Sequence, residues 1–405
     1  MKQLMTICAA LVAGALTAGE ARYLANAGDD AADGLTPATA WRTIKRLNEG
    51  LPSGGTACLK RGDTFYGRLD VKGGLDKEHP TVITAYGEGE KPVVSALKII
   101  KNDPKVWEGA SPVYGVWRVA ITNAANYTGI DSPDANPGLL IVDGELHGWR
   151  KYSYHDINQQ WDFAGDGGYL YVYSTNNPAL LAKDIRINVN VGTCALKSNM
   201  KVSNIKVSGT GACGMCVWGG KPATHDIVIS DCDFENIGGS ELVGYLNSGV
   251  IKARYGNGIE FGNNVTDTLV ERCTFRQVYD VAYTMQGWPS VSWKNNHCRD
   301  CTMTDCSQAF EIWTNKREDV KEKVGFENCS FTGNRTLRVG GGFGALTRPN
   351  RITATPLLFY TDKADIFDID VSGNTFEECP YGVLYKAGGL KRLPKGYRMH
   401  DNIVK

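Results

Sequence analysis

The chain has 405 residues, and its 44 Lys+Arg balance 44 Asp+Glu to a formal net charge of zero. That balance argues against a nucleic-acid binder, which shows a basic excess or stripe, and 42% hydrophobic residues are enough to bury a core, which argues against disorder. Glycine makes up 47 residues, about 12% against a usual share of about 7%, and the 15 prolines follow no Gly-X-Y period, so collagen is excluded and many tight turns between short strands are expected.

The chain opens on Lys2 and an apolar run of 14 residues, Met5 to Ala18, followed by the small residues Gly19 and Ala21. A membrane-spanning helix needs about 20 apolar residues. A charged start, a short apolar run and a small-residue zone together describe a secretory signal peptide. The expectation is a signal over 1–21, cut between Ala18 and Ala21, no membrane span, and a secreted or periplasmic protein. Of 12 cysteines, Cys8 lies in this leader and 11 remain, an odd number. Cys213-x-x-Cys216 and Cys298-x-x-Cys301 fall inside strand-like runs, so no zinc site is read from them.

Residues 22–70 begin with a short strand at Arg22-Tyr23-Leu24 and a polar turn cluster from Gly28 to Gly34. Thr36-Pro37 reads as an N-cap and first helical position. Trp41, Ile44, Leu47 and Leu51 then recur at helical spacing. One helix ahead of an array of strands is expected to act as a cap. Residues 80–190 are strand-rich but irregular, with clear β-propensity at Val82–Tyr86 and Tyr169–Tyr173 and turn clusters between them. An elaboration on the main fold, including a small antiparallel sheet, is expected there.

From residue 200 to 405 the chain repeats itself. The runs ending at Val207, Phe234, Phe275, Cys298, Phe331 and Phe376 alternate apolar and polar residues, and these end points lie 27, 41, 23, 33 and 45 residues apart. Repeats of this size without a helical pattern predict a β-solenoid whose shortest interval is the repeat and whose longer intervals carry loops. Asn236, Asn295, Asn296, Asn328, Asn334 and Asn374 suit left-handed corners. Cys232, Cys273 and Cys329, each two before a Phe, are expected to form an internal column of reduced thiols.

The opening from Tyr23 to Gly67, with Asp-Gly-x-Thr-Pro-Ala-Thr-Ala-Trp-Arg-Thr-Ile and Lys-Arg-Gly-Asp-Thr-Phe, resembles the N-terminal cap of secreted right-handed parallel β-helix proteins of the pectate-lyase-like superfamily. Gly-Asn-Gly-Ile-Glu-Phe at 256–261, the segment 279–287 and Phe310–Trp313 are similar to a bacterial subgroup of it. The resemblance implies an all-β, single-stranded right-handed parallel β-helix over 22–405 and export. It also implies a polysaccharide or oligosaccharide as partner, since many relatives are glycoside hydrolases or polysaccharide lyases. It carries over no catalytic motif.

The site is therefore argued from strand alternation. With Met215, Val217, Ile259, Phe261, Tyr283, Met285, Phe310 and Ile312 turned inward, one outward row reads Cys216, Glu260, Thr284, Glu311 and the next Trp218, Gly262, Gln286, Trp313. Glu260 and Glu311 are then two coils apart, about 9.6 Å between backbones. That is compatible with the roughly 6.5–9.5 Å between carboxyls of an inverting glycoside hydrolase. Glu311, beside Trp313, is expected to be the acid and Glu260 the base, with Asp280 as substitute for either. Trp218, Trp313, Thr284 and Gln286 are expected to hold sugar. A single outward Glu on a solenoid is usually just solvated, so the expectation rests on the pair. A uronate lyase is the alternative: Arg254, Arg348 and Arg351 would grip carboxylates, with Lys252 or His297 as base. No dense Asp cluster suggests a Ca²⁺ cage, so no cofactor is expected, Ca²⁺ entering only under the lyase reading. A non-catalytic carbohydrate-binding or surface-structural solenoid is the third reading, and a monomer is expected in each.

Overall fold

A computed structural model of the chain describes residues 20–110, 112–242, 253–347, 353–360, 363–386 and 392–405. The leader therefore lies outside the described residues, as do Lys252, Arg348 and Arg351. The regular part is a coil in which each turn contributes a strand to three long parallel sheets in succession. Among the described residues the first sheet has ten strands, the second nine and the third seven. Parallel crossovers of this kind wind right-handed. The fold is the right-handed parallel β-helix expected from the opening motif.

The register shows why the sequence winds this way. On the second face the inward column runs Val94, Val207, Phe234, Phe275, Met303, Thr336 and Phe376. Cys298 and Phe331 are not in it. They stack with Val202, Ile229, Val270 and Val371 on the first face. The two faces share the same alternation and are separated only by a short corner, so an apolar strand end does not tell them apart. With Met303 and Thr336 in place the intervals become 27, 41, 28, 33 and 40, and the bare coil is 27–28 residues rather than 23.

Each of these corners has the same construction. A residue in the left-handed region (Asn204, Asp231, Arg272, Asp300, Gly333, Gly373 or Asp401, φ 51–65°) is followed by one pointing inward. The inward residues are Ile205, Cys232, Cys273, Cys301, Asn334, Asn374 and Asn402. Cys301 thus takes the place expected for Cys329, which sits on the first face opposite Ile369. Asn236, Asn295 and Asn328 are left-handed as anticipated, whereas Asn334 and Asn374 are buried rungs of a side-chain ladder. Asn334 Nδ2 donates to Asn374 Oδ1 at 3.1 Å, and Asn374 Nδ2 to Asn402 Oδ1 at 2.9 Å. The oxygen of each rung also takes a backbone N–H from the preceding coil, as Asn334 Oδ1 does from Cys301 at 2.9 Å. Cys301 Sγ accepts the N–H of Cys273 in the same way, at 3.4 Å. A thiol and an amide are therefore alternative acceptors for one recurring bond. Aromatic pairs fill the rest of the interior, including the register partners Phe234–Phe275 and Trp293–Phe326 with centroids 4.6 and 4.9 Å apart and nearly parallel rings. That spacing is the strand spacing itself.

At the start of the coil, the helix Ile44–Gly50 is N-capped by Thr43 and buries Ile44 and Leu47 in the same core. Three insertions, 96–193, 238–258 and 338–356, all leave the coil at the corner between the second and third faces. The first forms two small antiparallel sheets, of five and four strands. Thr81–Tyr86 and Val93–Ser95, by contrast, are regular strands of the coil. The insertion is tied down by a buried ion pair, Arg150 to Glu241 at 2.9 Å, and by Asn188, whose amide nitrogen donates to Thr210 O and Gly238 O at 2.8 and 2.9 Å.

All eleven cysteines of the described residues are unpaired thiols, and eight of them are buried. Burial pushes the Cys306 and Cys329 thiols up to about 12 and those of Cys58 and Cys216 to about 11. Thiolate is the reactive form. The native protein should therefore react slowly with a thiol reagent at neutral pH. In denaturant without reductant all eleven should react, and a shortfall by pairs would reveal disulfides. Cys273→Ser should destabilise by about 1–3 kcal/mol, since it buries a hydroxyl in place of a thiol.

Candidate active site

The third face carries the rows read from the alternation. Cys216 pairs with Glu260, Glu260 with Thr284 and Thr284 with Glu311, while Trp218, Gly262, Gln286 and Trp313 pair in the next row. Parallel pairing brings together residues up to 97 positions apart in the chain (216 to 313) because it repeats one strand position in each coil.

The first row points outward by register, yet it is buried. Glu260 is 2% exposed, Thr284 0% and Glu311 9%. The corner insertions account for part of this: Asn257 lies at the end of the second one, and Tyr255 sits close enough for the Glu260 charge to raise its phenol pKa further. Glu260 Oε2 accepts the Cys213 thiol at 2.9 Å and the Asn257 amide at 2.8 Å. Asn257 Oδ1 in turn accepts the Val281 N–H at 3.1 Å. Burial pushes the Glu260 carboxyl above its ordinary value. The bonds from Cys213, Asn257 and Gln286 oppose that rise, and the Asp280 charge adds to it. Thr284 Oγ1 donates a long hydrogen bond of 3.5 Å to Glu311 Oε2.

The second row is more open and aromatic. Trp218 is half exposed and its ring lies against Gly262, where a Cβ would come within 2.8 Å of it. The missing side chain at 262 is what lets the indole lie flat on the strand. Trp313 meets Trp288 edge to face with centroids 6.0 Å apart. Trp288 sits in the turn after Gln286, and the alternation argument, confined to strands, missed it. Cys213, Asn257 and Tyr255 were missed for the same reason, since all three lie at the corner. The Asn257-Gly258 pair just before the strand was the available signal for a built turn.

The two remaining described candidates for the lyase reading are placed differently. The Arg254 side chain donates to the carbonyls of Gly239 (2.6 Å), Gly138 (2.6 Å) and Gly148 (3.3 Å) and stacks 4.6 Å over the Tyr279 ring. It is a joint between insertions, and its donors go to these carbonyls and to Thr347 Oγ1 at 3.4 Å rather than to open solvent where a substrate carboxylate would lie. His297 lies on the first face, bonded to Ser330 at 2.8 Å, with its pKa lowered by burial and by Arg299. Among the described residues no group of three or more His, Cys, Asp or Glu side chains converges as metal ligands would. Two surface cavities lie elsewhere. One, of about 390 Å³, is in the first insertion beside Tyr114 and Trp117; the other, of about 450 Å³, is on the first face beside Lys201 and His297. Neither contains the carboxylate row.

The chain matches no family model and no curated protein sequence. Several solved structures resemble it. The complex of XylC with xylose is 12% identical, with 95% of this chain and 76% of that one covered and a TM-score of 0.47. The lacto-N-biosidase of Eubacterium ramulus is 12% identical over 95% and 67%, with a TM-score of 0.36. The family 28 exopolygalacturonase of Yersinia enterocolitica is 10% identical over 89% and 66%, with a TM-score of 0.35.

The raised Glu260 carboxyl has a consequence for stability. A carboxyl whose folded pKa exceeds its unfolded value holds its proton more tightly in the folded state. Its contribution is present below the unfolded value, about 4.5, and is lost as pH rises through the folded one. Glu260→Gln removes this penalty. The variant should melt higher than the parent at about pH 8, with the difference closing near pH 4. A variant equally destabilised at both would mean that Glu260 is not held against its own ionisation.

Proposed function

We propose that the third face binds a glycan and hydrolyses it between Glu260 and Glu311. The observation that carries this reading is the in-register row itself. It holds two carboxyls two coils apart, one of them buried so that its ionised form is disfavoured, beside an open row of indoles. Indole faces suit sugar rings, which present C–H groups on one side and hydroxyls at the edge. Trp218, Trp288 and Trp313 would carry the rings, and Gln286, which already bonds Glu260, would read a hydroxyl.

The direction of the Glu260 shift reverses the roles expected from the sequence. Glu260 becomes the general acid, because burial and the neighbouring Asp280 charge both favour its protonated form. Glu311 becomes the base, oriented by Thr284. In the reaction Glu260 gives its proton to the leaving oxygen as the C–O bond breaks. Water adds to the anomeric carbon from the opposite side and yields a proton to Glu311. The separation of two coils leaves room for that water and predicts inversion. The Asp280 charge adds to the rise of the Glu260 carboxyl that burial causes. The low exposure of Glu260 also fits a second reading, in which the row is a rigid floor and the indoles bind glycan without cleaving it.

A screen of neutral and acidic polysaccharides, read by reducing ends and by ultraviolet absorbance for an unsaturated product, separates these readings. Glu260→Gln and Glu311→Gln should each fold and lose at least about two orders of magnitude in turnover, the scale of acid–base catalysis. Trp313→Ala should chiefly raise KM. Near-normal turnover in both Gln variants would overturn the assignment, and binding without new reducing ends would favour the second reading.

The leader motif supports export. We propose that the protein acts outside the cytoplasm, and the intact mass of the exported form should place its first residue between 19 and 22. An exported form that retains Met1 would contradict this.

A further inference from the structure

We infer that Cys213 and Asn257 form a clamp on one oxygen of Glu260, which confines the titrating proton to the other. This goes beyond the assignment of Glu260 as an acid and rests on that reading only for its effect on rate. Gln286 also bonds the Glu260 carboxyl, and the clamp proper is made of four bonds around Cys213 and Asn257. The Cys213 thiol donates to Glu260 Oε2 at 2.9 Å, and the Asn257 amide donates to the same atom at 2.8 Å. The Asn257 backbone N–H donates to Cys213 Sγ at 3.5 Å, and Asn257 Oδ1 accepts the Val281 N–H at 3.1 Å. All three side chains are buried, at 5% exposure for Cys213 and 2% for Asn257 and Glu260.

The chemistry follows from which groups can donate. A thiol and an amide N–H both bring a hydrogen to Oε2, so a proton there would collide with two others. The carboxyl proton is therefore held on Oε1, and the two clamped bonds fix the plane in which it points. A thiol also suits this place better than a cation would. A cation would strip the proton from Glu260 at neutral pH, whereas a weak neutral donor orients the carboxyl and leaves it able to hold one. Burial keeps the Cys213 thiol far from ionising, so it stays a donor throughout the physiological range. The titratable groups that face Glu260 are Asp280, Cys213, Cys216 and Tyr255. The Asp280 charge adds to the rise at Glu260, so the two are read together. Cys213 and Asn257 are positioning residues, acting through Glu260.

The test reads ionisation directly. The chain is labelled with ¹³C at the glutamate side-chain carboxyl, and Glu260→Gln identifies the Glu260 resonance by its loss. Losing a donor to the ionised form raises its pKa. Cys213→Ala should therefore move the Glu260 midpoint upward by about one pH unit, the lower end for a hydrogen bond to a charged group. Cys213→Ser keeps a donor and should return the midpoint to the parent value or below. Thermal melting establishes that both variants are folded. Asn257→Ala should move the midpoint the same way, and Cys213→Ala suffices where that variant does not fold. An unmoved midpoint in folded Cys213→Ala overturns the clamp, as does a Cys213→Ser midpoint that matches Cys213→Ala. Once a substrate is in hand, the alkaline limb of the pH–rate profile should move with the midpoint and leave KM in place. A limb that stays while the midpoint moves upholds the clamp and removes Glu260 as the acid.

Discussion

The coil depends on one constraint: strands within each of its three long sheets are parallel, in register and about 4.8 Å apart. A side chain at one position of a coil has the equivalent side chain of the next coil directly above it. Each column must therefore be self-compatible. Flat aromatic pairs meet this condition because ring stacking and strand spacing nearly coincide, as Phe234 and Phe275 show at 4.6 Å. Asparagines meet it because an amide donates upward while accepting from below, so Asn334, Asn374 and Asn402 satisfy one another without water. Thiols meet it because they are small and their sulfur can accept the same backbone bond. Such columns explain why a chain with an apparent export signal carries so many buried reduced cysteines. Their side chains run side by side, an arrangement poorly suited to the dihedral of a disulfide.

The same constraint builds the site. Register alone places Glu260, Thr284 and Glu311 in a line, and the interior columns hold that line straight. What distinguishes this outward row from the others is the corner at which chain has been inserted. All three insertions leave between the second and third faces. Arg254, Arg150 and Asn188 lock the first two to one another and to the coil through main-chain carbonyls and one buried ion pair, and Arg254 reaches the third through Thr347 Oγ1 at 3.4 Å. The coil thus supplies spacing and the insertions supply burial, two properties that acid–base chemistry needs separately.

The repeat and the rows of the third face were legible in the sequence because alternation of period two states directly which side chains face in. The corner was not. Apolar strand ends at Cys298 and Phe331 look like those at Phe275 and Phe376, and only pairing shows that a corner intervenes. The clamp on Glu260 escaped for a related reason: Cys213 and Asn257 are 44 residues apart, on two different turns that meet only once the coil is wound. Exposure was misjudged by the same argument, since alternation says outward and is silent about what an insertion lays on top. Arg254 shows the converse. An arginine in an insertion looks available in sequence, and here its donors go to Gly138, Gly148 and Gly239.

Carboxyls elsewhere on the coil give the contrast that sets Glu260 apart. Asp231 is held below its ordinary range by Arg272, Asp368 by Arg398 and Glu377 by Arg335, each through a direct hydrogen bond on an exposed face. Stacking makes such pairs easy to build, since an arginine one coil away is always within reach. Glu260 has the same geometric opportunity, and its partners are a thiol and two amides. That choice leaves a buried acid without a cation. A glutamine would make equivalent bonds without the cost of ionisation. A carboxyl whose ionised form burial disfavours, oriented by weak donors and set two coils from a second carboxyl, suits a place where a proton has to be held and then given away.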